Sequence, residues 1–418
     1  MELIVNERID NNVEVMEKVK LKELCSMQSG GTPSRGKSEY YSGTIPWSKI
    51  SDLEKSNDGN IYRTDEHITE EGLKSINNRL FKKGTLLLAM YGSVGKTAIA
   101  EIDLSTNQAI LGINIKDETK LDIKYLRFWF TTIKEKLLNR AVGGTLQNIS
   151  MGIVKELEIP LPPLPTQQKI ADILDTADQL RQYNKQLIAK YDTLTQSLFL
   201  EMFGDPVRNE KGWEITTFSK ILSKIESGWS PVCENKPRTG DQEWAVLKLG
   251  SVSYGIYNPK ENKRYEFDVP KAKQDCEVKK GDLLFTRKNT YHMVGVTAFV
   301  YETSPKLLLP DTVFRLVLIQ ELTNPIFLYY LLNNDKFSKE IQLLASGSSG
   351  SMPNISKAKL LSKDTILPPI ELQNQFAERV QMIETQKQQA QEALAKSEDL
   401  FQSLLQRAFK GELVELGV

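Results

Sequence analysis

The strongest constraint on this 418-residue chain is a cassette that occurs twice. The first copy runs LPPLPTQQKIADILDTADQLRQYNKQLIAKYDTLTQSLFLEMFGDP, from Leu161 to Pro206. After Pro165 neither Pro nor Gly occurs until Gly204. Apolar or small residues fall at Ile170, Ile173, Ala177, Leu180, Leu187, Tyr191, Leu194 and Leu198, with Asn184 at one seam position. Steps of three and four make a heptad, which predicts a long helix with a coiled-coil stripe. Thr166 is its expected N-cap and Gly204 its stop. The second copy begins at Leu367, and its seam is Phe376, Val380, Ile383, Lys387, Ala390, Leu394, Ser397, Phe401, Leu404 and Ala408. A constant offset of 206 residues relates Asn148-Ile149-Ser150 to Asn354-Ile355-Ser356, Pro162 to Pro368 and Ser197 to Ser403. So rigid a shift across a helix argues for duplication. Two helices of equal length can lie alongside each other, so an antiparallel pair is expected rather than two separate bundle helices.

Each helix follows a globular segment with the same order of signals. In the first, TLLLAM and TAIAEI are strand-like, LGINIK is another short strand, YLRFWFTTIKEKLLNRAV is an amphipathic helix and LEIPLP a closing strand. Gly30, Gly31, Pro33, Gly36 and Gly43 predict a long turn-rich loop before them. In the second, SGWSP stands for SGGTP, KKGDLLFTRK for KKGTLLLAM, PIFLYYLLNNDKFSKEIQLLAS for the helix and DTILPP for the closing strand. The expected architecture is α+β: two similar α+β domains separated by two long helices packed as an antiparallel coiled coil, with pseudo-twofold symmetry. The expected boundaries are 1–165 for the first domain (1–15 reading as a polar, flexible lead-in), 166–204 for the central spacer helix, 205–370 for the second domain, 371–410 for the C-terminal spacer helix and 411–418 for a tail.

Composition narrows the class. No run of eighteen apolar residues exists, so no membrane span is expected. The opening MELIVNERIDNN lacks the basic start and apolar core of a signal peptide. Three well-separated cysteines, Cys25, Cys233 and Cys276, suit a reduced cytoplasmic protein better than a disulfide framework. Net charge is zero, with 54 basic and 54 acidic side chains. The helices, residues 1–20 and the tail carry more acid than base, which leaves a small basic excess on the globular segments. DNA affinity of the chain alone should therefore be weak, because phosphate neutralisation supplies much of it.

Catalytic motifs fail on inspection. Gly92-Ser93-Val94-Gly95-Lys96-Thr97 resembles a phosphate loop, but the motif needs a glycine where Met90 stands. A strand-connecting turn near DNA, with Lys96 on it, is the better reading. Asn324-Pro325-Ile326-Phe327 resembles the Asn-Pro-Pro-aromatic loop of amino-methyltransferases but lacks the second proline; it reads as a helix start, with Asn324 as cap and Pro325 in the first turn. His67 and His292 have no partners at metal-ligand spacing, so no metal and no catalytic residue is expected, and no cofactor is assigned to the chain. The remaining candidates are polar loop residues suited to DNA: Ser34, Arg35, Lys37, Tyr40, Tyr41, Lys96, Thr145, Gln147 and Asn148 in the first half, and Arg238, Arg287, Lys288, Asn289, Ser348, Ser349 and Asn354 in the second. Arg pairs with guanine and Asn or Gln with adenine through two hydrogen bonds, while Lys, Ser and Thr suit phosphates.

These motifs together resemble a known family. SGGTP, the Gly-Ser-x-Gly-Lys turn, the Gly-Gly-Thr-x-Gln-Asn-Ile-Ser loop and the Leu-Pro-Pro-x-x-x-Gln start of a heptad helix, all present twice in outline, look like the specificity subunit of type I restriction–modification systems. The resemblance covers nearly the whole chain; SGWSP and SGSSGSMPNIS depart from the first-half versions. It implies two target recognition domains, each reading one half of a split, asymmetric target in double-stranded DNA. It also implies that the helices space the domains and dock two modification subunits, and that restriction subunits join them. Those partners supply S-adenosylmethionine, adenine methylation and ATP-driven cleavage, so the chain itself is not an enzyme. The alternative is a coiled-coil adaptor whose globular ends bind proteins, which near-neutral charge favours. A salt series separates the two, since DNA affinity falls steeply with salt.

Overall fold

The structure, a computed structural model, describes residues 17–140, 148–346 and 352–413. The chain forms two compact units, one of Met1–Leu187 with Ala390–Val418 and the other of Ile188–Gln389. Four helices organise them: α1 (Ile123–Thr132), α2 (Leu164–Phe203), α3 (Pro325–Leu332) and α4 (Ile370–Lys410). α2 begins two residues before its expected cap, with Pro165 in the first turn, where its missing N–H is harmless. Gly204 and Gly411 end the two long helices in the left-handed region, at φ 75° and 80°.

In the first unit the main sheet contains β1 (Cys25–Ser29), β2 (Leu86–Ala89), β3 (Thr97–Ala100) and β4 (Ile110–Ile115), in the order β1-β4-β2-β3, all antiparallel. In the second unit β5 (Leu222–Ser227), β6 (Leu283–Thr286), β7 (Thr297–Phe299) and β8 (Val313–Leu318) follow the same rule, β5-β8-β6-β7. A terminal pairing also repeats: Lys18–Lys20 with Glu158–Pro160, and Glu214–Thr217 with Asp364–Leu367. The duplication is therefore one of topology as well as of sequence.

The turn-rich stretch before β2 contains more order than its glycines suggest. Tyr41–Ser48 is a strand of a second sheet, paired with Glu66–Ile68 and Leu104–Thr106 and bulged between Tyr41 and Ile45. The Ser-Gly shared by SGGTP and SGWSP has a steric cause. A Cβ on Gly30 would lie 2.3 Å from the Asn107 carbonyl oxygen, and one on Gly228 2.1 Å from that of Leu309.

Each amphipathic stretch expected as one helix is two. α1 stops at Ile133, where the Thr132 hydroxyl turns back to donate to the Trp129 carbonyl at 2.7 Å, and a new helix starts at Lys134. α3 stops at Asn333, and Asn334 caps the next helix, Asp335–Gln342, by accepting from the Lys336 and Phe337 amides. Thr and Asn side chains that compete for backbone groups break a helix that hydrophobic spacing alone would continue. Asn324 does cap α3, with Pro325 at its start, as the sequence predicts.

The cores bind helix to sheet. In the first unit Tyr125, Phe128 and Phe130 of α1 pack with Leu86, Leu111 and Ile113 and with Ile170, Leu174 and Phe401 of the long helices. In the second, Phe327 of α3 meets Phe199 and Phe203, which both pack on Phe376, with ring centroids 4.8 Å apart for Phe203–Phe327 and 5.7 Å for Phe199–Phe376. Each such buried ring contributes about 1.5–3 kcal/mol.

The seam runs antiparallel in both units. Arg181 lies over Phe401 and the Asn184 amide donates to Ser397, while further along Asp192 pairs with Lys387 and Phe199 with Phe376. One column of the expected α2 seam holds: Ile170, Ala177, Asn184, Tyr191 and Leu198 are buried or half-buried. In the other, Leu187 is half-buried but Ile173, Leu180 and Leu194 are exposed. Their place is taken by Leu174, Arg181, Ile188, Thr195 and Met202, one residue on. The α4 seam holds at every position. Subtracting the 206-residue offset from it gives the α2 seam that the structure has.

The Leu-Pro-Pro-x-x-x-Gln motif also acquires a function. The fully buried Gln167 carboxamide accepts from the Asp122 amide at 2.9 Å and donates to the Lys120 and Pro162 carbonyls, each at 2.8 Å. Gln373 does the same for the Asn324 amide (2.9 Å) and the Leu322 and Pro368 carbonyls (3.1 and 2.8 Å). Asp122 and Asn324 are the caps of α1 and α3, so each glutamine ties the start of a long helix to the start of its domain's core helix. Gln167→Leu keeps the volume but leaves the buried Pro162 carbonyl and a part-buried amide and carbonyl without their partner, with an expected loss of about 2 kcal/mol. Denaturant unfolding of the full chain checks this against Gln186→Leu, an exposed site expected to change little; equal effects would contradict the role.

Candidate nucleic-acid interface

The candidate residues fall on three kinds of site. The first is the loop before the second sheet. Its backbone is shaped by the Lys37 amide donating to the Ser34 carbonyl and the Tyr40 amide to that of Lys37, at 3.1 and 3.2 Å. Arg35 is held rather than free: its guanidinium sits 4.5 Å from the Tyr41 ring centroid and 5.0 Å from that of Trp47, and donates to Glu66 at 2.9 Å. Hydrogen bonds from Lys49 and then Arg35 keep the Glu66 carboxyl below its ordinary range, so the clamp is charged at neutral pH. About half of the Arg35 side chain still faces solvent, as do Ser34 and Lys37. Tyr40 receives a hydrogen bond from Lys37, and the Tyr41 hydroxyl donates to the Pro33 carbonyl. An arginine stacked and steered by a carboxylate is pre-oriented for a planar partner.

The second site is the turn between the paired central strands, which the fold pins in the same way in both units. After β2, the Met90 carbonyl accepts from the Ile149 amide at 3.0 Å, and Tyr91 bridges to Asn148. After β6, the Arg287 carbonyl accepts from the Ile355 amide at 2.8 Å, and Lys288 bridges to Asn354. Gly95 and Gly295 close the turns at φ 82° and 87°, a conformation that side chains resist. Arg287 stands 5.0 Å over the Phe314 ring and donates through Nε to Asn354 Oδ1 at 3.1 Å. Thus Asn148 and Asn354 are brought to equivalent places, and Arg287, Lys288 and Asn354 form one cluster.

The third group is turned inward. Lys96 donates to the Ser56 carbonyl at 3.3 Å; burial, and then the charge of Lys134, hold its ammonium below the usual lysine value. That makes it a poor surface cation. Asn289 is buried and donates to Ser253 at 2.9 Å. The Arg238 side chain is only 6% exposed; its guanidinium donates to the Glu243 and Pro305 carbonyls at 3.1 and 2.6 Å and to Asp241 at 2.9 Å. Thr145, Gln147, Ser348 and Ser349 lie outside the described residues. Sequence reasoning passed over Tyr91, Thr290 and Tyr291 and weighed His292 only as a metal ligand, yet all four are exposed on the turns. The signal was available: aligning Gly95-x-Thr97 with Gly295-x-Thr297 isolates both turns. Among the described residues, no group of three or more His, Cys, Asp and Glu is placed to hold a metal ion, and no helix is long and apolar enough to cross a membrane.

The fold and these turns define a class: a duplicated α+β protein that presents polar turns from pinned frameworks on matched long helices. Residues 13–190 match the model of the type I restriction modification DNA specificity domain. The chain is 34% identical over 224 residues to the MjaIX type I restriction enzyme specificity subunit of Methanocaldococcus jannaschii, covering 50% of this chain and 52% of that protein. It is 25% identical over 298 residues to the EcoKI specificity subunit of Escherichia coli, covering 67% and 63%. The chain thus spans roughly half to two thirds of the length of these curated relatives. Its fold is similar to the crystal structure of a type I restriction–modification S subunit from M. genitalium, with a TM-score of 0.59 at 17% identity, over 96% of this chain and 98% of that one.

Arg238→Ala should destabilise the second unit by about 1 kcal/mol, since a largely buried guanidinium is lost that donates to two carbonyls and to the solvent-facing Asp241 carboxylate. Denaturant unfolding measures this. Unchanged stability with an altered DNA preference would instead place the guanidinium on DNA.

Proposed function

We propose that the chain is the DNA specificity subunit of a type I restriction–modification complex, recognising a split asymmetric target with one domain per half-site. The observation that carries this reading is the pairing of a duplicated framework with unlike polar turns: Met90 and Tyr91 in one unit stand where Arg287 and Lys288 stand in the other. Equal frameworks hold two turns at equivalent backbone positions, and unlike side chains read different letters. Arg35 and Lys37, with Ser34, Tyr40 and Tyr41 around them, and Asn148, Arg287, Lys288 and Asn354 are the candidate DNA contacts. Lys96, Asn289 and Arg238 support them from within.

The chain performs no chemistry of its own in this reading. Two modification subunits supply the methyl donor site, and restriction subunits join them in the cytoplasm. The exposed column of α2 supports docking. Ile173, Leu180 and Tyr183 in one unit, and Leu194 and Leu200 in the other, are large apolar side chains left in water. Heptad spacing on a face outside the seam fits a second helical partner. An adaptor that binds only protein would use such a face too, but would leave the held arginines without a ligand.

Co-expression with the products of neighbouring genes, followed by sequencing of methylated adenines, tests the proposal. The expected result is co-purification and one split motif, with Leu180→Asp weakening the co-purification while the fold is kept. DNA binding by the complex should fall steeply as salt rises. Assembly without any methylated motif, or binding indifferent to salt, would leave the adaptor.

A further inference from the structure

The two strand-connecting turns differ in one way that their shared framework isolates. From the end of β2 to Gly95 there are five residues, Met90 to Val94; from the end of β6 to Gly295 there are eight, Arg287 to Val294. Both ends are matched. Val94 and Val294 are buried, Gly95 and Gly295 share the positive φ, and the Gly95 and Gly295 amides donate to Ala89 and Thr286 at 3.1 and 2.8 Å. The other side is held by the Ile149 and Ile355 amides. The insertion therefore cannot be absorbed by shifting the strands. It must extend the tip.

The longer tip is ordered by its own contacts. Asn289 turns inward to Ser253, and the Thr286 hydroxyl donates to the Met293 carbonyl at 2.7 Å. This leaves Lys288, Thr290, Tyr291 and His292 outward, with the Tyr291 and His292 rings edge to face at 5.7 Å. The shorter tip offers one large exposed side chain, Tyr91. Beneath the tips the chemistry also differs, for Arg287 occupies the position of the buried Met90.

We infer that these turns are the segments that set which bases each domain accepts, with Tyr91 the specificity-determining residue of the short turn and Lys288, Tyr291 and His292 those of the long one. The inference rests on the proposed DNA-reading function and deepens it. A cation, a ring and an imidazole on a projecting tip offer donors to base edges in a major groove. A lone tyrosine on a tight turn offers one hydroxyl and an apolar edge, so it contacts fewer base pairs.

The test is a graft in the full chain, assembled with its modification subunits: residues 90–94 replaced by the eight residues 287–294. Sequencing of methylated sites should show one half-site with new letters, the other half-site and the spacer being unchanged. Original letters in both half-sites would overturn the inference. Should the graft give no methylation, Tyr91→Ala and Tyr291→Ala decide. Each should relax one position of a different half-site, cutting discrimination there roughly 2- to 12-fold, the range for one neutral hydrogen bond. Unrelaxed letters in both variants would likewise overturn it. A wild-type complex that methylates no split motif marks failure of the underlying function instead.

Discussion

A buried glutamine side chain at the start of each long helix holds this architecture to its pattern. Gln167 and Gln373 are themselves fully buried, and each satisfies one amide and two carbonyls. The prolines before them end a strand and leave their carbonyls free, and the carboxamide, with two donors and an acceptor, satisfies the local demand. Removing it would expose the mismatch between a strand that has ended and two helices that begin. Because the same three bonds recur in the second copy, each domain is fixed to its own long helix by one device used twice.

That anchorage explains how the seam can tolerate polar residues. Arg181, Asn184, Thr195, Lys387 and Ser397 sit in or beside the buried face. They weaken a generic hydrophobic contact but restrict register, since Asn184 meets Ser397 and Lys387 meets Asp192 in only one alignment. The apolar column displaced from the seam is exposed, and it is the surface proposed for docking. A helix that must bury two faces carries two heptad columns one residue apart, and a periodicity search cannot tell which one faces its twin.

Much of the fold was legible in the sequence. The duplication, the long helices, the central strands and the cap at Asn324 follow from spacing and punctuation. One of the two columns of the α2 seam was misplaced by one residue because Ile173, Leu180 and Leu194 satisfy the heptad as well as Leu174 and Ile188 do. The offset from α4, where polar Lys387 and Ser397 already marked the buried column, contained the correction. The helix breaks at Ile133 and Asn333 were hidden because side-chain to backbone bonds outweigh hydrophobic periodicity. The site was less legible. Residue type singled out Arg35 and Arg287, which the structure holds in stacked, steered poses, but it also singled out Arg238 and Lys96, whose charges serve backbone carbonyls. Whether an arginine faces water or a carbonyl depends on tertiary closure, which local sequence does not record.

If letters belong to domains and the rest of the chain only presents them, the letters must travel with the domain. The direct measurement is the methylated motif of a complex whose chain carries residues 214–366 in place of residues 17–160 as well as in their own place. The expected result is a split target in which both half-sites carry the letters previously read by the second domain. Survival of the first half-site's original letters would contradict it.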